Sequence, residues 1–170
     1  MERAFALACT KGQAMKRTLL AAALLLAALP AVAAHARDLP AGGLTRTELA
    51  QWLQGHGYKA QIHDDSNGIS IVTSASDGVN WDIYFFVCND VQRCGSIQYA
   101  AGWTGVTVAD DALNSWNRTK RYIRAYQGEK GSIWGEYDID ISPGGTWEQL
   151  DKSLDRWTDA LPTYKTAIGQ

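Results

Sequence analysis

The side chains whose type and spacing could do chemistry are few. They are two cysteines, Cys88 and Cys94, two histidines, His56 and His63, and the alternating carboxylates Glu136, Asp138 and Asp140. Residues at i, i+2 and i+4 of a strand project from one face. Three carboxylates placed so could hold a metal ion or divide acid and base roles; the plainer reading is a solvent-facing strand kept soluble by charge. Cys88-x5-Cys94 has no histidine or further cysteine around it, so a disulfide is expected rather than a metal site. Closing a seven-residue loop contributes about 2 kcal/mol in the chain-entropy model. His56 stands between Gly55 and Gly57, where a histidine at a helix end serves free carbonyls and the helix dipole. His63 precedes the turn Asp64-Asp65-Ser66-Asn67-Gly68. Read as a calcium loop, that turn puts His63 where the first Asp belongs and Ser74 where the bidentate Glu belongs, so the match fails. No serine lies in a nucleophile elbow, and no histidine is partnered with a cysteine that would stay free. No catalytic residue, no enzyme activity and no cofactor are expected.

Arg118, Lys120, Arg121 and Arg124 form the one basic cluster, interleaved with Tyr122 and Tyr126. Such interleaving can bind nucleic acid, but the acidic balance described below opposes it. Ion pairs from this cluster to Glu136, Asp138 or Asp140 on a neighbouring strand are expected instead. Asn117-Arg118-Thr119 fits a glycosylation sequon, a pattern short enough to arise by chance. A different chemistry is suggested by Tyr84, Phe86, Gln98 and Trp134, which would share the sheet face opposite the helices. Exposed aromatic groups on a sheet mark a partner surface or a dimer seam, unless loops or the N-terminal segment cover them.

The elements that would position these residues begin after residue 36. Lys16 and Arg17, the apolar run from Leu19 to Leu29, and Ala34-His35-Ala36 have the three-part form of a cleavable signal peptide, with cleavage between Ala36 and Arg37. Cleavage after Ala33 is the rival. Eleven apolar residues are too few to span a bilayer, which takes about 20. Met15 stands directly before the charged pair and is an alternative start. Without the prefix, twelve basic and seventeen acidic residues remain, and Cys9 is gone. That mildly acidic surface offers nothing to condense on nucleic acid or anionic lipid, and no stable membrane insertion is expected after cleavage. The expected location is periplasmic or secreted, where an even pair of cysteines oxidises.

Residues 37–43 read as a flexible lead-in, and residues 44–165 as one domain. Thr45-x-x-Glu48 is a capping box, flanked by Leu44 and Leu49 as a hydrophobic staple, so a helix starts there. Gly55 and Gly57 stop it. Strands are expected over residues 58–63, 68–74, 79–88, 94–103, 121–127 and 132–141, and a second helix over 108–117. In the third strand Trp81, Ile83, Phe85 and Val87 point one way, and Asp82, Tyr84, Phe86 and Cys88 the other. Pro143-Gly144-Gly145 ends the sheet. Thr146-x-x-Gln149 opens a last helix, whose Trp147, Leu150, Leu154, Trp157 and Leu161 form one stripe. The expected fold is α+β: an antiparallel sheet of about six strands with three helices packed mainly on one face, in the order αββββαββα.

From Leu44 to Leu161 the chain resembles the YbjN-domain family. The resemblance rests on Leu44-Thr45 through Gly57-Tyr58, on the strand Val79-Asn80-Trp81-Asp82-Ile83-Tyr84-Phe85-Phe86 with Cys88 and Cys94 after it, and on the acidic strand before the last helix. Its most specific piece is Leu113-Asn114-Ser115-Trp116-Asn117-Arg118-Thr119-Lys120-Arg121-Tyr122-Ile123-Arg124-Ala125-Tyr126. The resemblance implies a fold like that of type III secretion chaperones and a role described, for many members, as sensory-transduction regulation without a defined reaction. It supplies no catalytic residues. The signal peptide and the cysteine pair set this chain apart from cytoplasmic members. The function expected is a non-enzymatic exported interaction or chaperone-like module that holds a polypeptide or its own copy. The alternatives are a metal-binding or metal-assisted hydrolytic protein using Glu136, Asp138 and Asp140, and a small-ligand binder.

Overall fold

The computed structural model describes residues 36–170. The expected signal peptide, the alternative start at Met15 and Cys9 lie outside the described residues. Three helices and six strands follow one another as α1 (Arg46–Gly55), β1 (Gln61–Asp64), β2 (Ser70–Ser76), β3 (Val79–Cys88), β4 (Cys94–Trp103), α2 (Asp110–Thr119), β5 (Arg124–Gln127), β6 (Ile133–Asp140) and α3 (Trp147–Ala167). All strand pairs are antiparallel, and the sheet order is β1-β2-β3-β4-β6-β5. The fold is the expected α+β arrangement.

Both capping boxes form. Thr45 and Glu48 satisfy each other's backbone N–H groups at the start of α1, and Thr146 and Gln149 do the same for α3. These four N–H groups would otherwise have no partner at a helix start. Leu44 and Leu49, the staple pair, are fully buried. The connection from β1 to β2 is tied by Asp65, whose carboxylate accepts the N–H groups of Asn67 and Ile69 at 2.8 and 2.9 Å.

Residues of one parity along the central strands build the core with the helices. Trp81, Ile83 and Phe85 of β3, Ile97, Tyr99 and Ala101 of β4, and Ile133 of β6 join Leu49, Trp52 and Leu53 of α1, Trp116 of α2, and Leu150, Leu154, Trp157, Leu161 and Tyr164 of α3. At its centre the Tyr99 ring stacks on Trp157, with centroids 5.7 Å apart, and both meet Trp81 edge-on. The Tyr99 hydroxyl pairs with Ser153 Oγ at 3.0 Å, so the buried phenol keeps a partner.

Several elements depart from the expectations, each for a local reason. The first strand begins at Gln61 rather than residue 58. Tyr58 instead donates its N–H to Leu53 O at the end of α1 and packs its ring edge-on against Trp81. The fifth strand begins at Arg124 rather than residue 121, because Tyr122 adopts φ +73° and interrupts the extended chain. Val87 does not continue the inward face of β3: at φ +54° it turns out and is 80 % exposed. The last helix runs on through Pro162 to Ala167, adding Tyr164 to the buried stripe. Residues 37–43 are docked rather than a free lead-in. Asp38 bridges Thr146, Leu39 donates to Gly145 O at 2.9 Å and is buried, and Leu44 bridges Cys94.

Candidate interaction site on the open sheet face

Alternation sends the other parity of side chains to the face that carries no helix. The register places Tyr84 opposite Gln98 and Phe86 opposite Ser96, while across β4 Gln98 faces Asp138, Ala100 faces Glu136 and Gly102 faces Trp134. β5 completes the surface, with Arg124 opposite Glu136 and Tyr126 opposite Trp134. Tyr84, Phe86, Gln98, Tyr126, Trp134 and Glu136 together line a shallow depression of about 210 Å³. The four residues singled out from the sequence are therefore neighbours. Phe86 is 47 % exposed, and the docked N-terminal segment lies against α3 and the start of β4, not over these rings.

Trp134 is held in place from beneath. A Cβ at Gly102 would come within 2.8 Å of the indole Cζ3 and Cη2, and one at Gly128 within 2.8 Å of Cδ1. Glycine at both positions leaves room for the ring to lie across the sheet. The indole Nε1 donates to Ser132 Oγ at 3.0 Å, which fixes its orientation. An aromatic ring spread on a sheet and pinned at both ends is a rigid contact surface that loses little conformational freedom on binding.

Beside it Glu136 is buried and fully engaged. Arg124 and the Tyr126 hydroxyl each donate to one of its oxygens, and Gln98 Nε2 donates at 3.3 Å. The same Gln98 amide donates to Asp138 at 2.7 Å. Burial, and next the hydrogen bond to the Glu136 carboxylate, push the Tyr126 phenol up to about 12. Burial, with Asp82 behind it, raises Tyr84 as well. Both hydroxyls therefore stay protonated and able to donate at neutral pH.

The other sequence candidates fall elsewhere or in smaller groups. Glu136, Asp138 and Asp140 do share the open face, but Glu136 is committed to Arg124, Tyr126 and Gln98, while Asp138 and Asp140 face solvent. Among the described residues, no three His, Cys, Asp or Glu side chains come together so as to hold a metal ion. Of the basic cluster, Arg124 makes the expected ion pair with Glu136, and Arg118, Lys120 and Arg121 are exposed. Cys88 and Cys94 sit directly opposite each other at the end of the β3–β4 hairpin, with their sulfurs at bonding distance. The His56 backbone N–H meets the carbonyls of Trp52 and Leu53, but its ring departs from the expected role. Its Nε2 lies 3.0 Å from Asp151 of α3, which also accepts from Trp52 Nε1. His63 lies on the exposed edge strand β1 beside Thr73.

The family model for YbjN, described as "Putative bacterial sensory transduction regulator", matches residues 45–170. The chain belongs to the YbjN family. No curated protein matches it. In this YbjN domain the match spans every helix and strand among the described residues, including the β5 segment that brings Arg124 and Tyr126 to the open face. Among the described residues no helix is long and apolar enough to cross a membrane.

Tyr126, Arg124 and the two glycines were not foreseen as parts of this surface. The sequence shows Tyr126 only beside basic residues. That β5 pairs outside β6, and so lays Tyr126 against Trp134, is decided by the crossover through α2.

Proposed function

We propose that this YbjN domain is a non-enzymatic interaction module of the bacterial envelope or exterior, whose open sheet face holds a polypeptide segment bearing apolar and basic side chains. The observation that carries the proposal is the fixed aromatic surface of Tyr84, Phe86, Tyr126 and Trp134, which keeps solvent-facing area on a sheet whose central strands pack their other face against helices. Aromatic anchors of this kind supply much of the binding energy at protein interfaces. Charge selects the partner: Asp82, Glu136, Asp138 and Asp140 lie on this face, against Arg124 as its one cation in the register, so a basic segment is favoured over an acidic one. The family description, which names regulation and no reaction, agrees with a role in binding. Export is supported by the leader pattern before Arg37 and by the apposed cysteines.

The test is capture from envelope extract by the purified product of the complete chain, against the Tyr84→Ala/Trp134→Ala variant, with the contact segment mapped by cross-linking. The expected result is a stoichiometric partner whose mapped segment is apolar and basic, lost in the variant and weakened by salt. Equal capture by a variant with unchanged circular dichroism would refute the assigned surface. A wild-type dimer that the double variant converts to monomer would replace the foreign segment with a second copy of this chain.

A further inference from the structure

The first residue after the expected cleavage point is held by more bonds than a connecting segment needs. The backbone nitrogen of Arg37 lies 3.2 and 3.1 Å from the two carboxylate oxygens of Glu148. Its carbonyl accepts the N–H of Trp147 at 2.9 Å, and its guanidinium stands 4.9 Å over the Trp147 ring. Two residues on, Leu39 donates to Gly145 O and is buried, so Arg37 is positioned by the folded domain itself. Glu148 is not needed for the helix cap, because Gln149 closes the capping box with Thr146. It stands in the first turn of α3, where its carboxylate serves Arg37 first and its own backbone N–H and the Thr146 hydroxyl to a lesser degree.

One amide N–H shared between two carboxylate oxygens leaves acceptor capacity unused. Hydrolysis of the Ala36–Arg37 bond by signal peptidase would change that. Water adds across the bond, Ala36 leaves with the carboxylate, and the Arg37 nitrogen becomes a primary amine that is protonated at neutral pH. The ammonium carries three donors and a positive charge in the place of one neutral donor, and charge-assisted hydrogen bonds are about twice as strong as neutral ones.

We infer that Glu148 is the receptor for the processed N-terminus, an ion pair with the Arg37 ammonium that exists only after cleavage between Ala36 and Arg37 and that reinforces the docking of residues 37–39 beside α3. The inference rests on the proposed export, and it deepens that reading by giving cleavage a structural consequence. The hydrogen bond from Arg37 is also the largest influence holding the Glu148 carboxyl below its usual range. Cleavage at Ala33 would leave three extra residues and no charge at this position.

The complete 170-residue chain is expressed with and without Glu148→Gln in a bacterial host, and the exported product is analysed by intact mass and N-terminal sequencing. Its α-amine is then acylated at neutral pH, in buffer and in denaturing urea. The expected result is an N-terminus at Arg37 whose acylation is about threefold slower in the folded wild type than in urea, the size of a surface ion pair, with that protection lost in Glu148→Gln. The wild-type comparison in urea stands even if the variant folds poorly. An N-terminus at Ala34 overturns the inference while leaving export intact, and an uncleaved chain overturns both. An Arg37 amine that reacts equally fast folded and unfolded overturns the ion pair alone.

Discussion

The two faces of the sheet are built from the same strands, with neighbouring residues of β3, β4 and β6 going to opposite sides, yet they use aromatic residues differently. On the covered face Trp81, Tyr99 and Trp157 are buried on all sides, and their polar atoms are spent inside the domain where they pair at all. On the open face Tyr84, Phe86, Tyr126 and Trp134 keep exposed surface; the Tyr126 hydroxyl donates to Glu136, which Gln98 links to Asp138, and the Trp134 indole donates separately to Ser132. Aromatic area alone does not separate a core from an interaction surface. The difference lies in what stands above the rings: α1 and α3 cover one set, and nothing among the described residues covers the other.

That contrast is open to direct attack. The largest effect is expected on the covered face. Trp157→Ala removes a ring stacked on Tyr99 and should cost about 3–5 kcal/mol in urea unfolding; a loss comparable to that of a surface substitution would mean that the centre of the core lies elsewhere. Alkaline titration sharpens the comparison next. Tyr126 holds its proton more tightly folded than unfolded, so the stability it contributes is fully present below about pH 10 and is lost as pH rises through about 12. In a phenolate absorbance titration the step absent from Tyr126→Phe should fall near that upper value, and a Tyr126 step at the ordinary tyrosine position would dissolve the link to Glu136. The smallest stability effect is expected on the open face. Phe86→Ala should shift unfolding by within about 0.5 kcal/mol, although it removes a ring from the proposed binding surface. A shift of several kcal/mol would show that Phe86 supports the fold and that the open face is a second core.

Much of this was legible beforehand because it is local. Both capping boxes are read from residues three apart, and β3 and β4 form over their expected residues because inward and outward positions alternate along most of each, from Val79 to Phe86 in β3 and from Gly95 to Tyr99 in β4. Readings failed where a residue's conformation depends on something distant. Tyr58 has the composition of a strand residue, but Trp81 and the end of α1 claim it. Tyr122 stands in an apparently continuous strand, but the chain must turn there so that Trp116 Nε1 can donate to Ile123 O at 2.8 Å. Residues 37–43 have the glycine and proline content of a linker, and it took Gly145, Thr146 and Glu148, more than a hundred positions away, to order them.

For the candidate surface the division is similar. By itself the sequence determined which residues share a side of each strand as far as the chain stays extended, short of Val87 in β3, because side chains alternate with a period of two whatever the strand pairs with. It therefore separated Tyr84, Phe86, Gln98 and Trp134 from Trp81, Ile83 and Tyr99. Only the tertiary structure decided that β6 lies between β4 and β5. That order sets Tyr126 and Arg124 against Glu136, and it lets Trp134 lie across Gly102 and Gly128. Strand order is chosen by how α2 and α3 pack their apolar stripes onto the sheet, a balance of contacts among residues far apart in the chain that no local spacing records.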